Sequence, residues 1–460
     1  MPVETTAPEY EAIAPAWQKC RDAYEGQEAI IARGADYVTP LDTQTPSEYV
    51  NYLRRGLFFN ATARTVQGMV GASFRRPPAI EAGAADDLLA DVTLTDLPFD
   101  SLAKMAMREV LIVGRFGILC DYSDEEARPY LSPYVAENII NWRIERIGGR
   151  SVVTMVALAE TGHVSDPKDS YKLNDQHRIR VLKLEDGVYT VCLYVKVEDG
   201  TEGTRSRYVL VEEVVPRVAG SPLDYIPFVC INANTVGLDT DRPPLLDLVD
   251  VNLHHWRLSC DYNHGLHYTG LPTPIAAGFP KSNDGYRIGP GAAWWSENHD
   301  AKASFLEFKG EGLGAMRDAL AEDEAKMAAL GGRLLEKPKH AAEAAAAIRL
   351  RTAGDQATLA SITEALDRGL TQSLGLLNLW LGVIPEGVEA ILNKDFFGEQ
   401  MDADQALKLM QITQQGYMSV ENLMFLYDRG ELLRPGVEPQ EERELIELQQ
   451  SIQSVMRAEG

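Results

Sequence analysis

Four histidines are the residues whose type and spacing come nearest to a site for chemistry. His254, His255, His264 and His267 fall within fourteen positions. A helix would place His264 and His267 on one face, where two imidazoles can hold a metal ion. The sequence contains no HExxH pattern, and only Asp261 offers a carboxylate nearby. We therefore expect no metal, and we interpret the histidines as polar positions on a crowded helix that hydrogen-bond to neighbouring chains. A metal-dependent enzyme that uses these four side chains is the alternative.

Other patterns that carry catalysis are missing from the sequence. Lys281-Ser282 lacks the preceding glycine loop with which a P-loop cradles phosphates. The stretch GRFG at 114–117 is too short for a dinucleotide-binding fingerprint and indicates a tight turn between strands. GxSxG does not occur, and Ser221 follows a glycine in a predicted loop where a nucleophile would need a strand-turn-helix setting. The sequence therefore predicts a protein without catalytic residues and without a cofactor.

One basic cluster stands out against an acidic chain. Arg333, Lys337, Lys339 and His340 lie in or beside a break that begins at Gly331-Gly332, whereas the whole chain has a net charge of −24. Such a chain repels the phosphate backbone, which argues against a sequence-reading DNA-binding protein and suits a protein past which DNA must slide. The cluster is interpreted either as a solvated loop or as a flexible loop that touches DNA phosphates.

Cysteine usage and hydropathy indicate the kind of compartment in which the protein is expected. The five cysteines are far apart and form no CxxC pair, which argues against disulfides and a thiolate zinc site and favours a reducing compartment. The N-terminal residues carry two early acids and no apolar core, so they do not have the pattern of a signal peptide. The apolar stretch 374–384 is about half of the ~20 residues that a membrane span needs. We expect a soluble protein with no membrane contact.

Periodicity predicts an α+β protein that is mainly helical. The sequence VLIVGRFGILCDY (110–122) indicates a hairpin around Gly114 and Gly117, and residues 150–235 alternate as in an antiparallel meander, with turns at 185–187 and 198–200. Helical spacing predicts helices over 9–34 with an interruption near Gly26, over 47–72 with Ser47 as the cap, and over 100–111, 245–267, 312–330 and 340–378.

The predicted helix 245–267 carries two apolar stripes. One includes Leu246, Val249, Leu253 and Trp256, and the neighbouring stripe includes Tyr262. Two adjacent stripes indicate contacts on more than one side, as in a packed ring of helices. A core helix of a monomer is the other interpretation.

Four segments, in order, resemble a tailed-bacteriophage portal protein, the head-to-tail connector, a family often described only as a domain of unknown function. They are YLRRGLFFNATARTVQGMVGASFRRPP (52–78), REVLIVGRFGILCDY (108–122), PLDYIPFVCI (222–231) and PPLLDLVDVNLHHWRLSCDYNHGLHYTGLPTP (243–274). The resemblance covers roughly residues 10–440. None of the four is as specific as a catalytic motif, and the ordered set carries the similarity.

The resemblance implies a portal fold and a ring, usually of twelve subunits, around an axial channel at the unique capsid vertex. Double-stranded DNA would pass through during packaging and ejection without sequence specificity. The implied regions are an N-terminal wing with helices and the meander (1–240), a stem helix (241–270), a clip (271–310), a second stem helix with a tunnel loop (311–345), wing helices (346–435) and a C-terminal helix, crown or tail (436–460).

The resemblance also implies roles for the residues singled out above. Leu246, Val249, Leu253, Trp256 and Tyr262 would form the ring interface of the stem, while Arg333, Lys337, Lys339 and His340 would form a DNA-facing tunnel loop. Implied partners are copies of the chain itself, the terminase, head–tail adaptors, and the major capsid and scaffolding proteins. The protein would be assembled in the host cytoplasm and located in the virion. Another connector or adaptor, and an acidic partner-binding scaffold, are further alternatives.

Overall fold

The computed structural model has helices and antiparallel sheets in one chain, which confirms the α+β prediction. Its chain divides into one unit of residues 1–392 and a second of residues 393–460. The structure describes residues 2–166, 169–199, 205–271, 273–280, 286–287, 293–306, 310–331, 345–396, 401, 403–430, 432, 440, 442–446 and 448.

The α-helices follow one another in an order close to the predicted one. They are α1 (Pro8–Glu25), α2 (Gln27–Arg33), α3 (Pro46–Arg55), α4 (Ala61–Ser73), α5 (Phe99–Val113), α6 (Leu246–Gly270), α7 (Leu313–Leu330), α8 (Ala345–Trp380), α9 (Ala403–Gln414) and α10 (Val420–Arg429). The predicted interruption near Gly26 is confirmed, because Gly26 separates α1 from α2 with a φ of 98°.

The strands are concentrated between α5 and α6. They are β1 (Ala79–Glu81), β2 (Arg115–Ser123), β3 (Arg128–Val135), β4 (Ile139–Ile147), β5 (Arg150–Asp166), β6 (Asp169–Glu185), β7 (Val188–Asp199), β8 (Arg205–Val214), β9 (Arg217–Val218), β10 (Ser221–Pro222), β11 (Phe228–Asn232), β12 (Thr273–Ala277), β13 (Lys302–Leu306) and β14 (Glu389–Ile391). The predicted meander is confirmed as the antiparallel sheet β4-β5-β6-β7-β8, and the predicted turn at 185–187 joins β6 to β7.

The single helix predicted over 47–72 is wrong, because the structure divides it into α3 and α4. Thr45, not Ser47, caps α3 through a capping box with Glu48. Asn60 caps α4 by accepting a hydrogen bond from the Ala63 backbone N–H at 2.8 Å. Between the two helices, the Leu57 N–H donates to Ser259 Oγ at 2.9 Å. Helix α6 thus supplies the hydrogen-bond acceptor that a continuous helix would have provided.

The hairpin predicted over 110–122 is also wrong. Val110 and Val113 are fully buried in the last turn of α5, and Gly114 ends that helix in the left-handed conformation with a φ of 80°. Only the residues after Gly114 form a strand, β2. It lies between β3 and β11 in a three-stranded antiparallel sheet.

The core lies where this three-stranded sheet meets α8 and α5. Gly369 lets α8 cross β11 closely, since a Cβ atom placed there would lie 2.4 Å from Cγ1 of the buried Ile231. One face of the five-stranded sheet packs residues such as Ile179 and Val181 against Val3 and Tyr10 of the N-terminal segment.

Two glycines of α8 provide a matched test of this crossing. Gly369→Ala gains helix propensity but forces a methyl group into Ile231, and we expect a net loss of about 1–3 kcal/mol in the free energy of unfolding. Gly375→Ala gains the same propensity with its nearest neighbour at 3.8 Å, and we expect it to be neutral or stabilising by up to about 1 kcal/mol. Urea denaturation of both variants measures the difference, and equal effects would contradict the crossing.

Candidate functional site

The candidate functional site is the long antiparallel pair formed by α6 and α7. Helix α6 has 25 residues, which corresponds to about 37 Å at 1.5 Å per residue. The β12–β13 ribbon joins the two helices at the far end. Gly265 allows the helices to approach there, because a Cβ atom in its place would lie 2.7 Å from Leu313 Cδ2.

The first half of α6, here called the root, is buried by the chain's own residues. Val249 and Trp256 have no exposed surface, and Leu253 is 1% exposed. A Cβ atom at Gly56 would lie 2.5 Å from Cys260 Sγ and 2.7 Å from Trp256 Cζ3, so the segment between α3 and α4 lies directly on α6. Intrachain packing therefore explains this apolar stripe.

Three of the five residues predicted to form the ring interface are covered by the chain itself. Val249, Leu253 and Trp256 have no surface left for a neighbouring copy in this conformation, because the chain itself covers them. Leu246 and Tyr262 are only partly buried, and their role at an interface stays a prediction.

A buried amide fixes the root to the start of α4. Asn252 Oδ1 accepts hydrogen bonds from the backbone N–H of Thr62 at 3.3 Å and from Thr62 Oγ1 at 3.0 Å. Asn252 Nδ2 donates to the carbonyl of Phe59 at 2.8 Å. The last turn of α7 reaches the same place, where Met327 packs with Leu248 and Ala61. At the root, both helices of the hairpin are thus anchored on α4.

The first pair of histidines faces acidic residues of α7. His254 Nδ1 lies 2.6 Å from Oδ2 of the buried Asp323, and His255 Nε2 lies 3.6 Å from Glu324 Oε1. Burial lowers the pKa of His255, and the charge of Glu324 opposes that shift. Within the described residues, these contacts lie inside one chain, whereas the buried His255 Nδ1 has no hydrogen-bond partner there. The predicted bonds to neighbouring chains stay a prediction.

The second pair of histidines faces a cation. Arg55 Nη1 lies 3.3 Å from His264 Nδ1, and Arg55 Nη2 lies 3.2 Å from His267 Nε2. Because a guanidinium can only donate, both imidazole nitrogens must accept, which fixes the tautomers of the two neutral rings. Arg55 thus occupies the position between the two imidazoles where a metal ion would bind. Among the described residues, no group of three or more histidine, cysteine or acidic side chains is arranged to hold a metal.

Aromatic residues surround this second pair. The Tyr52 hydroxyl donates to Asp261 Oδ1 at 2.6 Å, and burial together with this carboxylate raises the pKa of Tyr52. The Tyr52 ring meets His264 edge to face at 5.2 Å, and Tyr268 contacts His264 at 4.8 Å between ring centroids. Asp261, the carboxylate noted beside the histidines, is therefore engaged with α3 rather than with an imidazole.

The far end of the hairpin is exposed. Leu266, Tyr268 and Leu271 at the end of α6 have 41%, 52% and 63% of their surface exposed, and every residue of β13 is exposed. Phe279, Tyr286 and Trp294 form a small aromatic cluster beside the ribbon. The α6–α7 pair thus has a buried root and an uncovered apolar end.

A second polar cluster lies in the β-rich part of the first unit. Asp121 and Glu160 share the guanidinium of Arg180, at 3.3 Å and 2.6 Å, beside a cavity of about 310 Å³. Burial raises the pKa of Asp121, although Arg180 opposes the shift. These ion pairs connect β2 to β5 and β6.

Sequence reasoning missed the partners of the predicted site residues. Arg55, Tyr52 and Asn252 act across some 190–212 positions of chain, and no local pattern indicates those pairings. The predicted tunnel-loop residues Arg333, Lys337, Lys339 and His340 lie outside the described residues.

Comparison with known proteins finds similarity to one family model and to solved structures. A family model described as "Domain of unknown function (DUF4055)" matches residues 244–381, from just before α6 to just past the end of α8. No curated protein matches.

Among the described residues, α-helices of the length and hydropathy needed to cross a bilayer do not occur.

Three of the solved structures with similarity come from gene transfer agents, which are phage-like particles. A chain of the native virion is 14% identical, with 89% of this chain and 99% of that chain covered and a TM-score of 0.41. A chain in the neck of the empty particle, computed with C6 symmetry, has the same identity and coverages and a TM-score of 0.38. A chain in the neck of the native particle, computed with C12 symmetry, is 12% identical over 88% of this chain and 98% of that chain, with a TM-score of 0.37.

The contact with Arg55 predicts that the purified protein holds no stoichiometric zinc, manganese or iron. The guanidinium already uses the lone pairs that His264 and His267 would offer a metal, and its charge repels a cation. Elemental analysis of the full chain by mass spectrometry checks this. A stoichiometric metal that disappears in His264→Gln/His267→Gln but stays in His163→Gln would contradict it.

Proposed function

We propose that this chain is the subunit of a tailed-phage portal, a non-enzymatic ring at one capsid vertex through which double-stranded DNA is packaged and ejected. The observation that carries the proposal is the α6–α7 pair, whose root is anchored on α4 and whose far end is apolar and uncovered. The ordered sequence resemblance to portal proteins supports the same conclusion.

The exposed end of the hairpin favours assembly. A two-stranded ribbon such as β12–β13 is marginally stable alone, and its open edges invite pairing with other chains. Leu266, Tyr268 and Leu271 also lie uncovered in the single chain. Obligate assemblies cover such surfaces, and a heterologous interface closes into a ring when its rotation is right.

The interface residues follow from which parts of α6 the chain leaves open. Leu246 and Tyr262 keep part of their surface, and Leu266 and Tyr268 extend the open surface towards the clip. Residues 241–270 and 311–345 would then form the stem and tunnel loop, and 271–310 the clip that meets the terminase and head–tail adaptors. Residues 1–240 and 346–435 would form the wing next to capsid and scaffolding proteins, with a crown or tail at 436–460.

Charge on the hairpin suits a channel for DNA. Helix α6 has three acidic residues and one arginine, and α7 has four acidic and two basic residues. A mostly negative lining keeps phosphates from binding tightly, whereas Arg333, Lys337, Lys339 and His340 after α7 would give weak and repeated contacts.

Negative-stain microscopy of the full-length protein tests the ring. We expect closed annuli with a central hole for the wild-type chain. Leu246→Asp and Leu266→Asp should leave the subunit folded but remove the annuli, because a charge would be buried between copies without a partner. Tyr171→Asp, at a 97% exposed position on β6, is the matched surface control. Compact particles without a hole in the wild type, or normal annuli from both stem variants, would overturn the proposal.

The tunnel-loop residues have a separate test. Lys337→Gln/Lys339→Gln should assemble into normal rings and reduce the amount of DNA packaged or retained, because two weak phosphate contacts per subunit are lost. Lys326→Gln, which removes one lysine that pairs with Glu322 on α7, is the control for the loss of positive charge elsewhere on the hairpin. Packaging equal to wild type would contradict the role in DNA contact and favour the interpretation of these residues as a solvated loop.

A further inference from the structure

The two histidine pairs of α6 face groups of opposite charge on different helices. His254 and His255 face Asp323 and Glu324 of α7, whereas His264 and His267 face Arg55 at the end of α3. The second contact is therefore the one that protonation opposes, because the partner of His264 and His267 is itself a cation.

The contact with Arg55 needs both imidazoles to be neutral. The guanidinium donates to His264 Nδ1 and His267 Nε2, and a proton on either nitrogen would replace the acceptor with a second donor. It would also place two positive charges about 3 Å apart in a partly buried setting, where like charges repel more strongly than in bulk water.

Other groups around the pair do not cancel this effect. From α3, Tyr52 and Tyr49 are present, and the Tyr52 hydroxyl occupies Asp261 Oδ1. From α6, Asp261 is the nearby carboxylate and Tyr268 packs on both imidazoles. From α7, Leu313 faces this part of α6, and the exposed Arg317 and Asp318 lie 3.6 Å from each other.

We propose that the contact between the end of α3 and the far half of α6 is a pH-sensitive joint, closed when His264 and His267 are neutral and loosened when they are protonated. Acidification then loosens the end of α3 from the far half of α6. The joint belongs to the single chain, so it operates with or without a ring and its failure leaves the proposed function standing.

The direction of the pH dependence follows from the cluster. Burial lowers the pKa of His264, the charges of Arg55 and His267 lower it further, and Asp261 opposes them. A histidine whose folded pKa lies below its unfolded value of 6.5 contributes stability above that value and loses it as the pH falls towards the folded pKa. The joint is therefore closed at neutral pH and opens on the acidic side of 6.5.

Hydrogen–deuterium exchange of the wild-type chain at about pH 7.5 and about pH 5.5 tests the joint. After correction for intrinsic exchange rates, amides of α3 should lose protection at the lower pH, by up to roughly tenfold for each unit by which the pKa of His264 differs between the closed and open states. Amides of α5, which contains no histidine, should keep their protection. Equal protection of α3 at both pH values would overturn the proposal.

A non-titrating variant separates the joint from a general effect of acid. In His264→Gln/His267→Gln, the amide oxygens can accept from Arg55 at any pH, so α3 should stay protected at both. His163→Gln, at an exposed tip of β5, should behave as wild type. A double variant in which α3 still loses its full exchange protection at acidic pH would contradict the proposal. If that variant does not fold, the comparison of α3 with α5 in the wild-type chain decides between the two outcomes.

Discussion

The structure of the hairpin depends on the burial of one face of α6 beneath the chain that links α3 to α4. Trp256 has no exposed surface, and Gly56 allows the linking segment to lie directly against it. Asn252 adds a buried amide whose three hydrogen bonds fix the start of α4 to the same helix. Because buried polar groups must find partners, this contact sets the register of α6 on the N-terminal helices as well as its position.

Electrostatics divides the hairpin into two zones. Near the root, imidazoles face carboxylates, and the contact joins α6 to α7. Further along, imidazoles face Arg55, and the contact joins α6 to α3. One residue type thus contacts two different helices through partners of opposite charge, since an imidazole can donate a hydrogen bond to a carboxylate and a neutral one can accept a hydrogen bond from a guanidinium. The arginine also explains why closely spaced histidines on one helical face need not form a metal site.

The α6–α7 pair combines an anchored root with an uncovered apolar end. Val249, Leu253 and Trp256 of the root pack within the subunit, whereas Leu246 keeps part of its surface open. Further along, the open surface lies on Leu266, Tyr268, Leu271 and the β12–β13 ribbon. In the proposed ring, the root would give each subunit a stable attachment of its stem, and the open end would be completed by neighbouring copies.

By itself, the sequence determined the α+β class, the interruption at Gly26, the meander, and the two helices of the hairpin to within a few residues. These follow from local periodicity and from glycine conformations, which short stretches of chain encode. Tertiary structure decided that residues 47–72 form two helices. Asn60 caps the second helix locally, but the break before it lies where Gly56 packs against Trp256, a residue about 200 positions away. Tertiary structure also decided that Val249, Leu253 and Trp256 are covered by their own chain and that Arg55 lies between His264 and His267. Such pairings join residues about 200 positions apart, and an apolar or charged side chain does not specify in advance which surface will meet it.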